Sequence, residues 1–518
     1  MHRSIILPPS GEGCPKDRKG ALRKTRLLQK ALSVNTFKKE WNFMKNSANL
    51  AVLFLLISVL FTGSIRAQEP KKLISAPDIV PPATPEMQHP EFWIARIQGD
   101  PDKVIMTPEQ IREFNRKNRA RSLERKDING VTHTIDDVLV QGNFLGIHLR
   151  LEDPLMIKFI TGDSLRVWFK RTRDYVKSGV FWDRRQLPYP EEAKNELLDA
   201  MNEDALPAVV HPRYGILVCN TFNRVVPTYE MVYTQQYGWL QMFQNADLDA
   251  GMPVAILHMS KNGDWYYVKS EYAFGWVSAD NVAEGSIHEI RRLAEPDDFI
   301  VALEHKVPVY ADREFKTWIM DLYQGSRLLM VKKSTSGYEV RVPFRQADGS
   351  LKGVIGWVKP GADVNIGFQP YTQRNVITTI FRLLNRPYGW VGTDHERDCV
   401  GTIKSVFRTF GIFVPRWTTF ELYYTDHVTV FPADTPKEVK YRYLDQCAPG
   451  ITVCGFNWHV VLYLGEVNGI HNVIHQNGYS YHNADGTEIR VGRVSVNHTE
   501  LEGGADITHW TELSVFKP

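Results

Sequence analysis

At 518 residues the chain is too long for one hydrophobic core, and about 150 residues per domain suggests three or four units. A net charge of +3, from 62 Lys and Arg against 59 Asp and Glu, leaves no polycationic footprint, so nucleic acid is not an expected partner. Five cysteines are too few for a disulfide scaffold.

Residues 1–43 are basic and carry no pattern; they read as an extended leader or as an early start, with Met44 as the true one. From Met44 the order is that of a secretory signal: Lys45, an apolar run from Leu50 to Phe61, then Ser64-Ile65-Arg66-Ala67 as a cleavage site. Residues 1–67 are therefore expected to be basic extension and signal peptide, and the mature chain to be exported to the periplasm or cell envelope. Membrane contact is expected only through this segment, should it stay uncleaved. Ser64 stands where a lipid-bearing cysteine would be required, so no lipid anchor is expected.

Residues 68–90 are rich in Pro and Ala and read as a linker. Structure is expected to begin at Phe92-Trp93. Thr107-Pro108-Glu109-Gln110 is a helix start with a capping box and Pro at the first helical position, and Pro190 to Asn202 places Leu197, Leu198 and Met201 on one helical face. Residues 91–205 form a mostly helical unit on this reading.

From about Tyr214 the texture changes to short β-branched and aromatic runs between Gly, Asn and Asp, and it does so twice. Met252-Pro253-Val254, Gly263-Asp264-Trp265-Tyr266-Tyr267-Val268 and Gly275-Trp276-Val277 are matched by Val307-Pro308-Val309, Gly337-Tyr338-Glu339-Val340 and Gly356-Trp357-Val358. Two small β-domains are expected, at 206–290 and 291–364, with Trp276 and Trp357 in their cores.

The last unit, 365–518, carries the chemistry. A helix through Val376, Ile377, Ile380 and Leu384 precedes the loop Tyr388-Gly389-Trp390-Val391-Gly392, which is expected to lie against Cys399. Cys399 follows Asp398 and opens the helical run Val400, Ile403, Val406, Phe407 and Phe410. The NH groups and positive dipole end of a helix favour thiolate there, below the free-thiol value of about 8.5. Cys447 and Cys454 are close enough in sequence to bridge, whereas Cys399 has to stay free.

His459 to Gly465 and the run ending Val473-Ile474-His475 read as two strands joined at Asn468-Gly469. A three-residue loop, Val467 to Gly469 with Gly469 left-handed, puts His475 opposite Val461 and on the face of His459; a two-residue loop puts the imidazoles on opposite faces. A thiol at a helix start with two strand histidines follows the nucleophile, base and orienter logic of cysteine hydrolases. His471 is a second candidate for the orienting position. A zinc site of His459, His471 and His475 is disfavoured by Val473-Ile474, which is strand rather than helix; neither metal nor cofactor is expected.

Pro387-Tyr388-Gly389-Trp390, Asp398-Cys399-Val400-Gly401, His459-Val460 with Tyr463-Leu464-Gly465, and Ile474-His475 stand in the order seen in NlpC-type cell-wall cysteine peptidases, which the chain resembles over 365–518. The terminal Gly-Trp-Val strands resemble those of bacterial SH3-like domains, and Phe92-Trp93-Ile94-Ala95-Arg96 is similar to the opening of the helical domain some members carry. The resemblance implies an α+β chain: a papain-like catalytic domain preceded by two SH3-like barrels and a helical N-terminal domain. It further implies Cys399 as nucleophile, His459 as base, His475 as orienting third member, and the Cys399 backbone NH in the oxyanion hole. Tyr388 and Asp398 match positions lining the substrate cleft, and Trp390 and Thr418 are further candidate contacts. The implied reaction is hydrolysis of the bond between γ-D-glutamate and an L-diamino acid in peptidoglycan stem peptides or muropeptides. Two departures stand out: Val400 where relatives usually have Ser, and Arg416-Trp417-Thr418-Thr419 where relatives that demand a free L-Ala amine place polar or acidic groups. Val400 motivates the alternative of a non-catalytic peptidoglycan-binding protein with a degenerate peptidase domain.

Overall fold

The computed structural model describes residues 74–518 apart from 76, 120–123, 135–152, 236, 237, 239, 419–421, 423, 457 and 484. The expected signal segment lies outside the described residues. Among the described residues no helix is long and apolar enough to cross a membrane.

Helix α1 (Pro108–Arg119) starts as its sequence dictates. The Thr107 N–H donates to Gln110 Oε1 at 2.8 Å and the Gln110 N–H to Thr107 Oγ1 at 3.3 Å, closing the capping box. Its Ile111 and Phe114 are buried with Trp93 in the cluster that holds Phe407 and Phe516. Helices α2 (Gly162–Ser178) and α3 (Glu191–Ala200) instead cover the first β-domain, where Leu165, Phe169 and Val176 pack with Tyr267, Phe274 and Trp276. Residues 91–205 thus supply two separate cores. An amphipathic pattern announces a buried face but not the surface that buries it.

Residues 77–90 do not form the free linker expected there. From Pro77 the chain is packed onto the C-terminal unit: Val80 is buried beside Trp510 and Leu513, and the Trp93 indole N–H donates to the Met87 carbonyl at 2.9 Å. Proline-rich composition removes backbone donors but not apolar surface, so such a strap can still be held by side chains.

Each β-domain is a seven-stranded antiparallel sheet, one between Arg213 and Glu284 and the other between Phe299 and Ile366. The repeat is structural, since both sheets arrange their strands in the same order, but the first pair of matched motifs is not equivalent: Met252-Pro253-Val254 opens the strand beside Trp265–Lys269, whereas Val307-Pro308-Val309 lies in Lys306–Tyr310, beside Leu351–Val358. Trp265–Lys269 pairs with Phe274–Ser278, and Gly337–Arg345 pairs with Leu351–Val358. Trp276 is fully buried and Trp357 nearly so, the Arg313 guanidinium lying 4.4 Å above the Trp357 ring; both are core, as expected.

In the C-terminal unit, α4 (Gln373–Phe381), α5 (Cys399–Arg408) and α6 (Lys437–Leu444) accompany a six-stranded antiparallel sheet. Its strands are β1 (His427–Val430), β2 (Thr452–Phe456), β3 (His459–Val467), β4 (Ile470–Asn477), β5 (Arg493–His498) and β6 (Glu512–Val515), in the spatial order β1-β6-β2-β3-β4-β5. Val400, Ile403, Val406 and Phe407 of α5 share a core with Val460, Leu462 and Ile474 of β3 and β4. The chain is α+β.

The β3–β4 hairpin departs from its expected loop and still reaches the expected register. The turn has two residues, Asn468 and Gly469, both with positive φ (54° and 82°), and Val467 pairs with Ile470. A bulge between Tyr463 and Gly465 inserts Leu464 as the extra residue, so Leu462 pairs with Ile474 and Val461 falls opposite His475. Without that bulge the two-residue turn would have turned His475 to the other face.

Candidate active site

Asp398 is the N-cap of α5 and is saturated with donors. Its Oδ1 accepts from the Gly401 N–H at 2.8 Å; its Oδ2 accepts from the Val391 N–H at 3.0 Å and from Arg416 Nη2 at 2.7 Å. Cys399 is the first helical residue and is buried, and Val400 beside it is a core side chain. Arg416 reaches a second carboxylate, Asp247 of the first β-domain, with Nε 3.3 Å from Oδ1, while Lys404 Nζ lies 3.7 Å from Asp247 Oδ2. Burial alone would raise the Asp247 pKa, but Lys404, Arg416 and Arg397 outweigh it and hold the carboxyl well below its ordinary range. Burial works against the Arg416 cation in the same way, and Asp398 and Asp247 more than restore it.

The loop leading to Cys399 is strained and clamped. Val391, Gly392, Asp394 and His395 all have left-handed φ (46°, 86°, 57° and 59°), an unfavourable state for a β-branched residue such as Val391. Asp398 holds the Val391 N–H, and Gln244 Nε2 of the first β-domain donates to the Val391 carbonyl at 2.7 Å. A Cβ on Gly392 would stand 2.3 Å from the Asp247 Cβ, so only glycine lets the domains meet there. The second β-domain grips the far end of the loop, His305 Nδ1 lying 2.6 Å from Arg397 Nη1.

The strand side of the site is uncharged. His459 Nε2 and His475 Nδ1 are 2.6 Å apart, both rings are 1 % exposed, and His475 Nε2 lies 2.8 Å from Asn497 Oδ1. Ser495 Oγ donates to the same Asn497 oxygen at 2.7 Å. The β4–β5 register, His475 opposite Ser495 and Val473 opposite Asn497, sets this row. Burial, and secondarily His475, push the His459 pKa well below its ordinary value; burial brings His475 to about 4 against the opposing Asn497 bond. Both imidazoles are neutral at pH 7.

Tyr479 joins the two sides. Its ring stands edge-on to His459 with centroids 5.0 Å apart, and after burial the Cys399 thiol is what raises its hydroxyl pKa. Tyr388, raised first by burial, also feels Cys399, Asp398 and Tyr479. Two glycines make room: a Cβ on Gly504 would lie 2.5 Å from His459 Cδ2, and one on Gly478 2.8 Å from the Tyr388 ring.

Of the residues expected from sequence, Cys399, Asp398 and Tyr388 come together, and His459 and His475 come together. The Trp390 indole N–H donates to the Gln241 carbonyl of the first β-domain at 3.2 Å, and Thr418 is buried just after Arg416. His471 has other partners, the Tyr463 hydroxyl at 2.8 Å from Nδ1 and Asp445 at 3.1 Å from Nε2. Cys399, Cys447 and Cys454 are free thiols, so the Cys447–Cys454 bridge that spacing allows is not formed. Sequence reasoning missed Asn497, Ser495, Asp247, Tyr479 and Gly504; of these only Gly504, in the pair Gly503-Gly504, carried a visible signal.

Residues 240–278 match the family model of the SH3 domain (SH3b1 type). No curated protein matches the sequence. Among solved structures, a novel NlpC/P60 endopeptidase from Photobacterium damselae subsp. piscicida is similar at a TM-score of 0.62 and 18% identity, over 86% of this chain and 98% of that one. An NlpC/P60 family protein from Bacillus cereus ATCC 10987 aligns at a TM-score of 0.39 and 16% identity, over 53% of this chain and 83% of that one. The chain thus shares its overall fold with the Photobacterium NlpC/P60 endopeptidase, and its first β-domain is similar to SH3 domains.

Proposed function

We propose that the chain is an exported cysteine endopeptidase that hydrolyses γ-D-glutamyl–L-diamino acid bonds in peptidoglycan stem peptides or muropeptides, with residues 365–518 as a papain-like catalytic domain. The observation that carries this reading is the buried His459–His475 pair, with Tyr479 packed against His459 and within electrostatic reach of a thiol at the first turn of a helix. The likeness in fold to an NlpC/P60 endopeptidase supports it, and the sequence of residues 44–67 supports export.

In this reading His459 takes the Cys399 proton, and the thiolate attacks the γ-carbonyl carbon of the D-glutamyl residue. The resulting oxyanion meets backbone NH groups at the start of α5, including that of Cys399, which an α-helix leaves without internal acceptors. His459 then protonates the departing amine of the diamino acid, leaving a thioester on Cys399. Water, deprotonated by His459, hydrolyses the thioester and restores the thiol. His475 orients His459. Tyr388 lines the cleft, with Trp390 and Thr418 at its border. Asp398 acts at one remove, since its oxygens already cap α5, hold Val391 and bind Arg416.

The test uses purified chain and defined muropeptides with free or blocked N-terminal L-Ala. Release of the diamino-acid fragment by the wild type and its loss in Cys399→Ala is the expected result. Undiminished release by Cys399→Ala would end the reading.

A further inference from the structure

We infer that Asn497 is a positioning residue that selects which ring nitrogen of His459 serves as the base. The inference rests on the cysteine-peptidase reading above and adds a fourth member to its row of polar groups.

Asn497 Oδ1 already accepts from the Ser495 hydroxyl at 2.7 Å, and a carbonyl oxygen has no proton to give. The contact at 2.8 Å to His475 Nε2 is then a hydrogen bond only if Nε2 carries the proton. A neutral imidazole holds one N–H, so His475 Nδ1 is a lone pair and accepts from His459 Nε2–H across 2.6 Å. His459 is neutral too, so its Nδ1 is left unprotonated and able to take the thiol proton. Turning the Asn497 amide over inverts every step: Nδ2 would face His475 Nε2, and His459 would end with its proton on Nδ1, a donor where a base is needed.

Burial and register confine the Asn497 side chain to this row. Asn497, Ser495 and His475 are all nearly inaccessible, and the β4–β5 ladder fixes their spacing. Asn497 Nδ2 is buried without a hydrogen-bond partner, so both polar contacts of the amide are made by its oxygen. Among the described residues, the titratable groups facing this row are His459 and His475 themselves, Tyr479, which borders His459, and, on the peptidase reading, the Cys399 thiol; Asn497 and Ser495 are neutral.

Two variants and one spectrum test it, with wild type and Cys399→Ala assayed alongside so that failure of the peptidase reading shows separately. Asn497→Leu keeps the size and removes the acceptor; kcat should fall roughly 10- to 100-fold, as for loss of an outer orienting group, with KM little changed. Asn497→Asp keeps an acceptor and adds charge; it should retain activity while the acid limb of the pH–rate profile moves to higher pH, because a carboxylate favours protonated His475. Should Asn497→Leu fail to fold, ¹⁵N spectra of the wild-type histidines still decide: protonated Nε2 and bare Nδ1 on His459 are expected. Protonated Nδ1 in the resting enzyme, or an Asn497→Leu variant with wild-type kcat and pH profile, would overturn the inference while leaving the peptidase reading standing.

Discussion

Cys399 sits at the edge of a buried ionic network, whereas His459 and His475 sit in a row of neutral hydrogen bonds. On the helix side, Asp398, Arg416, Asp247 and Lys404 form a chain of charges that begins in the first β-domain and ends at the cap of α5. On the strand side, His459, His475, Asn497 and Ser495 carry no formal charge at pH 7. The difference fits the two tasks that the proposed function assigns to the two sides. A nucleophile benefits from a fixed cation and a helix start that favour its anion, and a base has to be neutral before it can accept a proton. It also divides the labour between domains, since the ions come partly from the first β-domain while the neutral row lies wholly within the C-terminal sheet.

Breaking the strand side has the largest expected effect. His459→Ala removes the proposed base, and kcat for muropeptide hydrolysis should fall about 10²- to 10⁴-fold while the circular dichroism spectrum stays that of the wild type. Breaking the helix side acts first on stability. Asp247→Asn leaves Arg416 and Lys404 buried with less counter-charge, and removal of one partner of a buried pair costs about 3–5 kcal/mol, to be read as a lower urea midpoint. If that midpoint is unchanged, the first β-domain is not tied to α5 by charge.

A smaller effect is expected from Gly504→Ala. Its new Cβ would collide with His459 Cδ2, and the overpacking should cost about 1–3 kcal/mol with His459 displaced and, on the proposed function, a lower kcat. The smallest effect is a pH slope. Above about pH 6.5 His475 is neutral both folded and unfolded. As pH falls, the unfolded chain gains the proton first, and the folded ring resists until about 4, so stability is lost across that window. His475→Gln should flatten this part of the dependence of Tm on pH; a slope equal to that of the wild type would contradict the buried neutral ring.

Much of this was legible in the residues. Cys399 at a helix start follows from Asp398 and the apolar periodicity behind it, and the burial of Trp276 and Trp357 follows from their alternating strands. The facing of His459 and His475 was also predicted, through a loop that the chain does not use. A bulge is one extra residue in a strand, and Leu464 differs in nothing from its apolar neighbours, so composition could not reveal it. Asp247 and Arg416 are far apart in sequence, and a pairing across domains leaves no periodic trace. Asn497 looks like any polar strand residue until the β4–β5 register sets it beside His475. The strap from Pro77 was hidden because its one deeply buried anchor, Val80, sits in a composition typical of linkers.

The most direct test of the central claim is a covalent trap. The protein is mixed with a stem peptide, quenched in acid within the first turnover, and digested for mass spectrometry. The expected result is a thioester on Cys399 bearing the γ-D-glutamyl fragment, with no adduct on Cys447 or Cys454. Peptide hydrolysis that persists in Cys399→Ala, with no acyl group ever found on Cys399 in the wild type, would contradict it.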